Sequence, residues 1–182
     1  MNRRVTRSSS RRMRSYGFYS DERAQDINFE DITSCERNAN ILRMLRDDDP
    51  NWKSRHLYIL DEDIEGDCDE FVVAEGDDMG WLGYFIGKSD SLDELYIYYL
   101  SERRDKIAFI EGVSQNQSIS SIEINCDIGA EGWSKLCCIF ENNRNLSTLN
   151  MKDYEIGQEG AQNLAMALGK VNHTFLKYIS MT

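Results

Sequence analysis

The densest set of side chains able to hold a metal is the acidic run from Asp61 to Asp69. Asp61, Asp63, Glu65 and Asp69 fall at positions 1, 3, 5 and 9 of a calcium-loop spacing, with Gly66 at position 6 and Asp67 just after it. Calcium takes roughly six to eight oxygens, and such a loop closes on a bidentate Glu at position 12. That position is Val72. The run therefore reads as a solvated acidic insertion, with these five carboxylates as a weak calcium candidate and no dedicated metal site. The two histidines, His56 and His173, lie far apart in sequence, and neither has a nucleophile at local spacing. No catalytic residue and no cofactor are expected. The five cysteines (35, 68, 126, 137 and 138) are odd in number and contain no CxxC. They fit reduced thiols of an intracellular protein, cytoplasmic or nuclear. The adjacent pair Cys137 and Cys138 reads as two small apolar side chains.

The elements that would position any site must come from a modest apolar supply. Leu, Ile, Val and Phe make up 42 of 182 residues, a little above the roughly 20% below which highly charged chains stay disordered. No apolar run approaches the ~18 residues of a membrane helix. The formal charge of −11 is unevenly placed. Residues 1–20 hold six Arg (3, 4, 7, 11, 12 and 14) and no acid, whereas the remaining 162 residues hold 15 basic and 32 acidic side chains. An acidic body repels nucleic acid, whose phosphates reward Lys and Arg. Nucleic acid is therefore an expected partner only through the tail. Residues 1–30 are expected to be a disordered basic and polar tail. The tail lacks the apolar centre of a secretory leader, but its composition also fits an organelle presequence. Basic clusters serve nuclear import as well, and Ser10 and Ser15 lie three residues after Arg7 and Arg12, as basic-directed kinases require.

A phrase with apolar residues at its first, fourth and sixth places recurs four times. It reads Leu92, Leu95, Ile97; Ile119, Ile122, Ile124; Leu146, Leu149, Met151; and Leu176, Ile179, Met181, at spacings of 27, 27 and 30 residues. Its second half alternates as a half-buried strand does. Ile128, Gly129, Glu131 and Gly132 recur as Ile156, Gly157, Glu159 and Gly160, a tight turn leading into an amphipathic helix. The helical stretches are Trp133–Phe140 and Ala161–Leu168, and Asn-rich turns lead to the next strand. Trp81 and Trp133, each directly after a glycine, are expected in the core.

This pattern resembles the leucine-rich repeat family, in its ribonuclease-inhibitor-like class. Cys126 stands near the family's Asn/Cys position, and Tyr154 replaces it in the next unit. The resemblance implies an α/β fold: a short right-handed solenoid with parallel strands on the concave face and helices on the convex face. Residues 31–182 divide into an N-terminal cap helix (31–50), a degenerate repeat with the acidic insertion (51–91), repeats at 92–118, 119–145 and 146–175, and a truncated final repeat (176–182). Helix 34–46 would start on Thr33 or Ser34 as N-cap and shield the first repeat. No helix follows the last phrase, so the final strand is expected either to self-associate or to belong to a longer array.

Alternate strand residues should line the concave face. They run Glu94, Ser121, Thr148, Tyr178; then Tyr96, Glu123, Asn150, Ser180; then Tyr98, Asn125, Lys152, Thr182. Tyr96 and Tyr98 beside Glu123 and Asn125 form the preferred contact patch, because tyrosine brings rigid area and a hydroxyl to interfaces. The expected function is a non-enzymatic scaffold or recognition module binding a protein partner through Glu94, Tyr96, Tyr98, Glu123, Asn125, Asn150, Lys152 and Tyr178. The alternatives are a targeting or nucleic-acid-contacting arm in the Arg-rich tail, or a piece of a longer repeat array.

Overall fold

Where apolar and polar residues alternate, the chain is extended; where apolar residues recur every three or four places, it is helical. The computed structural model describes residues 16–61, 69–100, 105–151, 156–170 and 177–181. A 3-10 turn at Tyr16–Phe18 precedes α1 (Asp21–Gln25), a second 3-10 turn (Phe29–Asp31) and α2 (Glu36–Asp47). There follow β1 (His56–Asp61), β2 (Glu70–Val73), α3 (Met79–Lys88), β3 (Glu94–Ile97) and α4 (Lys106–Val113). The rest is β4 (Ser121–Ile124), α5 (Gly129–Leu136), α6 (Ile139–Asn142), β5 (Thr148–Met151), α7 (Gly157–Lys170) and β6 (Tyr178–Met181). The strands form one all-parallel sheet in the order β2-β1-β3-β4-β5-β6.

The four recurring phrases land in one register. Leu95, Ile122, Leu149 and Ile179 are directly paired across β3 to β6, and Leu57 of β1 extends the row. The strands are tied at their starts by one repeated backbone device. The carbonyl of Arg55 accepts both Asp93 N–H and Glu94 N–H, Asp93 accepts Ser120 and Ser121, Ser120 accepts Ser147 and Thr148, and Ser147 accepts Lys177 and Tyr178. Leu92, Ile119 and Leu146, which precede their strands, are buried in the same core as the paired residues. Leu176 lies outside the described residues.

Buried asparagines shape the turns into the strands. Asn116 donates to the carbonyls of Ile86 and Ser89 while its Oδ1 accepts Ser118 and Ile119 N–H. Asn143, 27 residues on in the chain, repeats the arrangement with the Ile119 carbonyl and the N–H groups of Asn145 and Leu146. The two glycines of each recurring turn have separate causes. Gly129 and Gly157 sit at φ +69° and +66°, where a side chain is strained. Gly132 and Gly160 sit against Ile128 and Ile156, and a Cβ at Gly160 would meet Ile156 Cγ1 at 2.8 Å.

The helices pack side by side in the sequence α3, α4, α5, α7, with α2 against α3 and β2. Among the described residues no helix is long and apolar enough to cross a membrane. Trp81 and Trp133 are both buried.

Four sequence expectations need correction. Residues 16–30 of the expected disordered tail are ordered, because Tyr19, Ala24 and Phe29 bury themselves on the helix layer. The Tyr19 ring packs edge-on to Trp81 at 5.2 Å and its hydroxyl donates to Asp78 at 2.8 Å. It fits only because residue 80 is glycine, where a Cβ would lie 2.0 Å from the ring. The N-cap of α2 is Cys35, with no side-chain cap bond; Thr33 Oγ1 instead accepts Cys35 N–H and Asn38 Nδ2. The acidic stretch of 51–91 also carries an unexpected strand, β2, whose Phe71 and Val73 enter the core beyond β1. The helix expected through Trp133–Phe140 breaks at Cys137 and Cys138 into α5 and α6.

A candidate binding face on the sheet

The apolar alternates of each strand point into the helix layer: Leu57, Ile59, Leu95, Ile97, Ile122, Ile124, Leu149 and Met151 are all buried. Their neighbours must therefore emerge on the other side. Register fixes them in two rows. One runs His56, Glu94, Ser121, Thr148, Tyr178; the other runs Glu70, Tyr58, Tyr96, Glu123, Asn150, Ser180. Neighbouring members stand about 4.8 Å apart.

Polar bonds and ring stacking organise the face. Tyr58 and Tyr96 stack at 4.4 Å with planes 9° apart. The Tyr96 hydroxyl donates to Glu94 Oε2 on its own strand, and His56 Nε2 lies 3.6 Å from Glu94 Oε1, an ion pair when the imidazole is protonated. Tyr98 reaches across to donate to Glu123 Oε1 at 2.8 Å, and Asn150 Nδ2 donates to Glu123 Oε2 at 2.9 Å. Both phenols hold their protons tightly. Tyr96 is raised chiefly by its bond to the Glu94 carboxylate, and Tyr98 is pushed up to about 12 by burial and then by Glu123. Both therefore act as hydrogen-bond donors at neutral pH.

The expected contact residues divide accordingly. Glu94, Tyr96, Tyr98, Asn125 and Asn150 are partly exposed on this face, and Tyr178 is 57% exposed. Glu123 is not presented to a partner as expected: only 9% exposed, it is covered by Tyr98 and Asn150 and positions them. Lys152 lies outside the described residues, as do His173, Tyr154 and Thr182. His56, Tyr58 and Glu70 complete the rows and are not among the residues expected from sequence. Part of the signal is there all the same, since His56, Leu57, Tyr58, Ile59 alternates just as Glu94, Leu95, Tyr96, Ile97 does.

The calcium-like run does not assemble within the described residues. Asp63, Glu65 and Asp67 lie outside them, Asp61 ends β1, and Asp69 Oδ1 accepts Trp52 Nε1 at 2.8 Å. Among the described residues no group of three or more His, Cys, Asp or Glu side chains could hold a metal. Cys35, Cys126, Cys137 and Cys138 are free thiols. Burial pushes Cys126 up to about 12 and Cys137 up to about 11, which keeps both protonated and unreactive.

The face is thus a set of tyrosines, acceptor oxygens and one imidazole on a stiff parallel sheet, suited to recognition by stacking and hydrogen bonding. No protein-family model matches the chain, and no curated protein matches it.

Proposed function

We propose that the chain is a short leucine-rich-repeat solenoid, similar to the ribonuclease-inhibitor class, that binds a protein partner on the open face of its sheet without catalysing a reaction. In this reading α2 and β2 are the cap of the first repeat, and the units of β4 and β5 each run from a buried turn asparagine, Asn116 or Asn143, through strand and helix. The observation that carries it is the placing of Tyr58 on β1, Glu94 and Tyr96 on β3 and Tyr178 on β6 in two registered rows, on the side away from the helices. Aromatic side chains fixed on a rigid scaffold lose little entropy on binding, which is why they anchor interfaces.

The test is affinity capture with the full chain against a Tyr58→Ala, Tyr96→Ala, Tyr178→Ala variant whose circular dichroism matches the parent. The variant should lose the bound partner. Retention of every partner by a folded variant rejects the reading. The six arginines before Tyr16 support a second reading, a targeting or nucleic-acid-contacting arm. Unchanged location and unchanged nucleic-acid binding after replacement of those arginines by Gln would remove it.

A further inference from the structure

The sheet face and the N-terminal segment are complementary in both charge and hydrogen-bonding sense. Glu70 and Glu94 stand on the face with Glu123 covered beneath Tyr98 and Asn150, and the only basic side chain among its described strand residues is His56. Arg55 and Lys177 lie one residue ahead of β1 and β6. The acceptors the face offers are carboxylate oxygens, chiefly those of the half-buried Glu94, one of which accepts the Tyr96 hydroxyl. It also offers a flat stacking surface in the Tyr58–Tyr96 pair. An arginine side chain is the converse object. It carries five N–H donors and no acceptor, pairs with carboxylates through two bonds, and stacks on aromatic rings.

We propose that the chain's own Arg-rich segment, residues 1–14, docks on this face and competes there with the partner. The proposal rests on the face being a binding surface and adds how that surface is regulated. The six arginines and the absence of any acid in residues 1–20 give the segment +6 against the −17 of the remainder. Its length suffices. Among the described residues the N-terminal region is anchored by Phe18 and Tyr19, packed on Trp81 of α3. The 15 residues before Tyr16 span up to about 50 Å when extended. The helix layer and sheet together are on the order of 20 Å thick, so the segment can pass round the edge of the molecule to the opposite side. A phosphate added at Ser8, Ser9, Ser10 or Ser15 would cancel part of that charge and free the face.

The test uses the full chain with carbon-13-labelled tyrosine rings, read by NMR. The parent is compared with a variant carrying Gln at all six arginine positions, and with Glu94→Gln, each at low salt and at 1 M salt. The ring signals of Tyr58 and Tyr96 should shift between the parent and the six-Gln variant at low salt. The difference should vanish at 1 M salt, where screening acts within about 3 Å. Glu94→Gln should reduce it, and a peptide of residues 1–15 added to the six-Gln variant should restore it. Identical ring signals in parent and variant overturn the proposal. So do shifts confined to Tyr19 and Tyr84 on the helix side, and shifts that grow with protein concentration, which would place the segment on a second copy. The two readings fail separately. Tyrosine-face variants that keep every partner sink the proposed function, whatever the ring signals show.

Discussion

Helices α3 and α7 each lie beside the parallel sheet, yet one is sealed on every side and the other is open along half its surface. All residues of α3 from Met79 to Ile86 are buried. In α7, Gly160, Leu164 and Ala167 are buried while Met166 is 58% exposed. A helix apolar all round needs cover on both flanks. α3 receives it from α4 and α2 on its flanks and from the N-terminal segment around Phe18 and Tyr19, which packs on Trp81 and also against α4. The difference teaches where stability is concentrated. The α2–α4 region is held by interlocked, non-repeating contacts, whereas the α5–α7 region depends on one repeated contact at a time.

The sharpest way to break that contrast is to push α3 and α4 apart. Gly83 and Gly112 let the two backbones touch: a Cβ at Gly112 would lie 2.2 Å from the Gly83 carbonyl carbon, and one at Gly83 would lie 2.4 Å from the Phe109 carbonyl oxygen. Backbone cannot yield as a side-chain tip does. Gly112→Val is therefore expected to cost about 3 kcal/mol or more, a large share of the roughly 5–15 kcal/mol that holds an ordinary domain folded. Urea denaturation followed by tryptophan fluorescence reads this directly. A midpoint within error of the parent's would mean the helices are not in contact there.

Next in size is a change inside the repeated half. Leu149 is 2% exposed and pairs with Ile122 and Ile179 on the two neighbouring strands. Leu149→Ala should cost about 2–5 kcal/mol. On the proposed solenoid reading each unit is braced chiefly by its neighbours, so the loss should appear as an early transition in α5–α7 signals. Trp133 fluorescence should therefore respond at lower urea than Trp81 fluorescence. Coincident transitions would show that the two regions unfold as one and that the contrast is structural only.

The two regions also differ in how legible they are in the sequence. In the repeated half, the same local rule is written several times, so the spacing of the phrases alone puts Leu95, Ile122, Leu149 and Ile179 in one row, as their pairing shows. The outward rows follow from alternation. In the other half, the decisive contacts are made once and over long separations. Tyr19 bonding Asp78, 59 residues away, leaves no periodic trace, and the arginines and serines that precede Tyr19 have the composition of a disordered segment. β2 is hidden because Glu70-Phe71-Val72-Val73 does not alternate, lies among acids and carries no copy of the recurring phrase. Glu123 alternates as an outward residue does, but only the reach of Tyr98 across the strand decides that it is covered.

A smaller effect separates the sheet face from the helix side by pH. Tyr98 is pushed up to about 12 from an ordinary 10.0, so the folded state holds this proton more tightly than the unfolded state. Its contribution to stability is complete below pH 10 and is lost as pH rises toward 12. Tyr96 shifts in the same direction. The buried thiols of Cys126 and Cys137 add a loss that begins near their ordinary 9.0. Tyr98→Phe isolates the phenol. The variant should be less stable than the parent at pH 8, because Glu123 loses a donor, and the gap should close as the pH approaches 12. A gap that stays constant from pH 8 to 12 would show that Tyr98 titrates alike in both states.

The smallest expected effects lie within α7 itself and should have opposite signs. Neither Gly157 nor Gly169 would bring a Cβ within 4 Å of another group, so packing cannot decide either substitution. Backbone conformation does. Gly157 begins the helix at φ +66°, a left-handed conformation that costs an L-residue roughly 1–2 kcal/mol. Gly157→Ala should therefore destabilise by about 1 kcal/mol. Gly169 has no such φ and lies in the last turn of the same helix, where replacing glycine by alanine narrows the unfolded ensemble and favours the helix. Gly169→Ala should stabilise by about 0.5 kcal/mol. Denaturation midpoints that move the same way for both variants would show that the open surface of α7 is covered by something other than solvent.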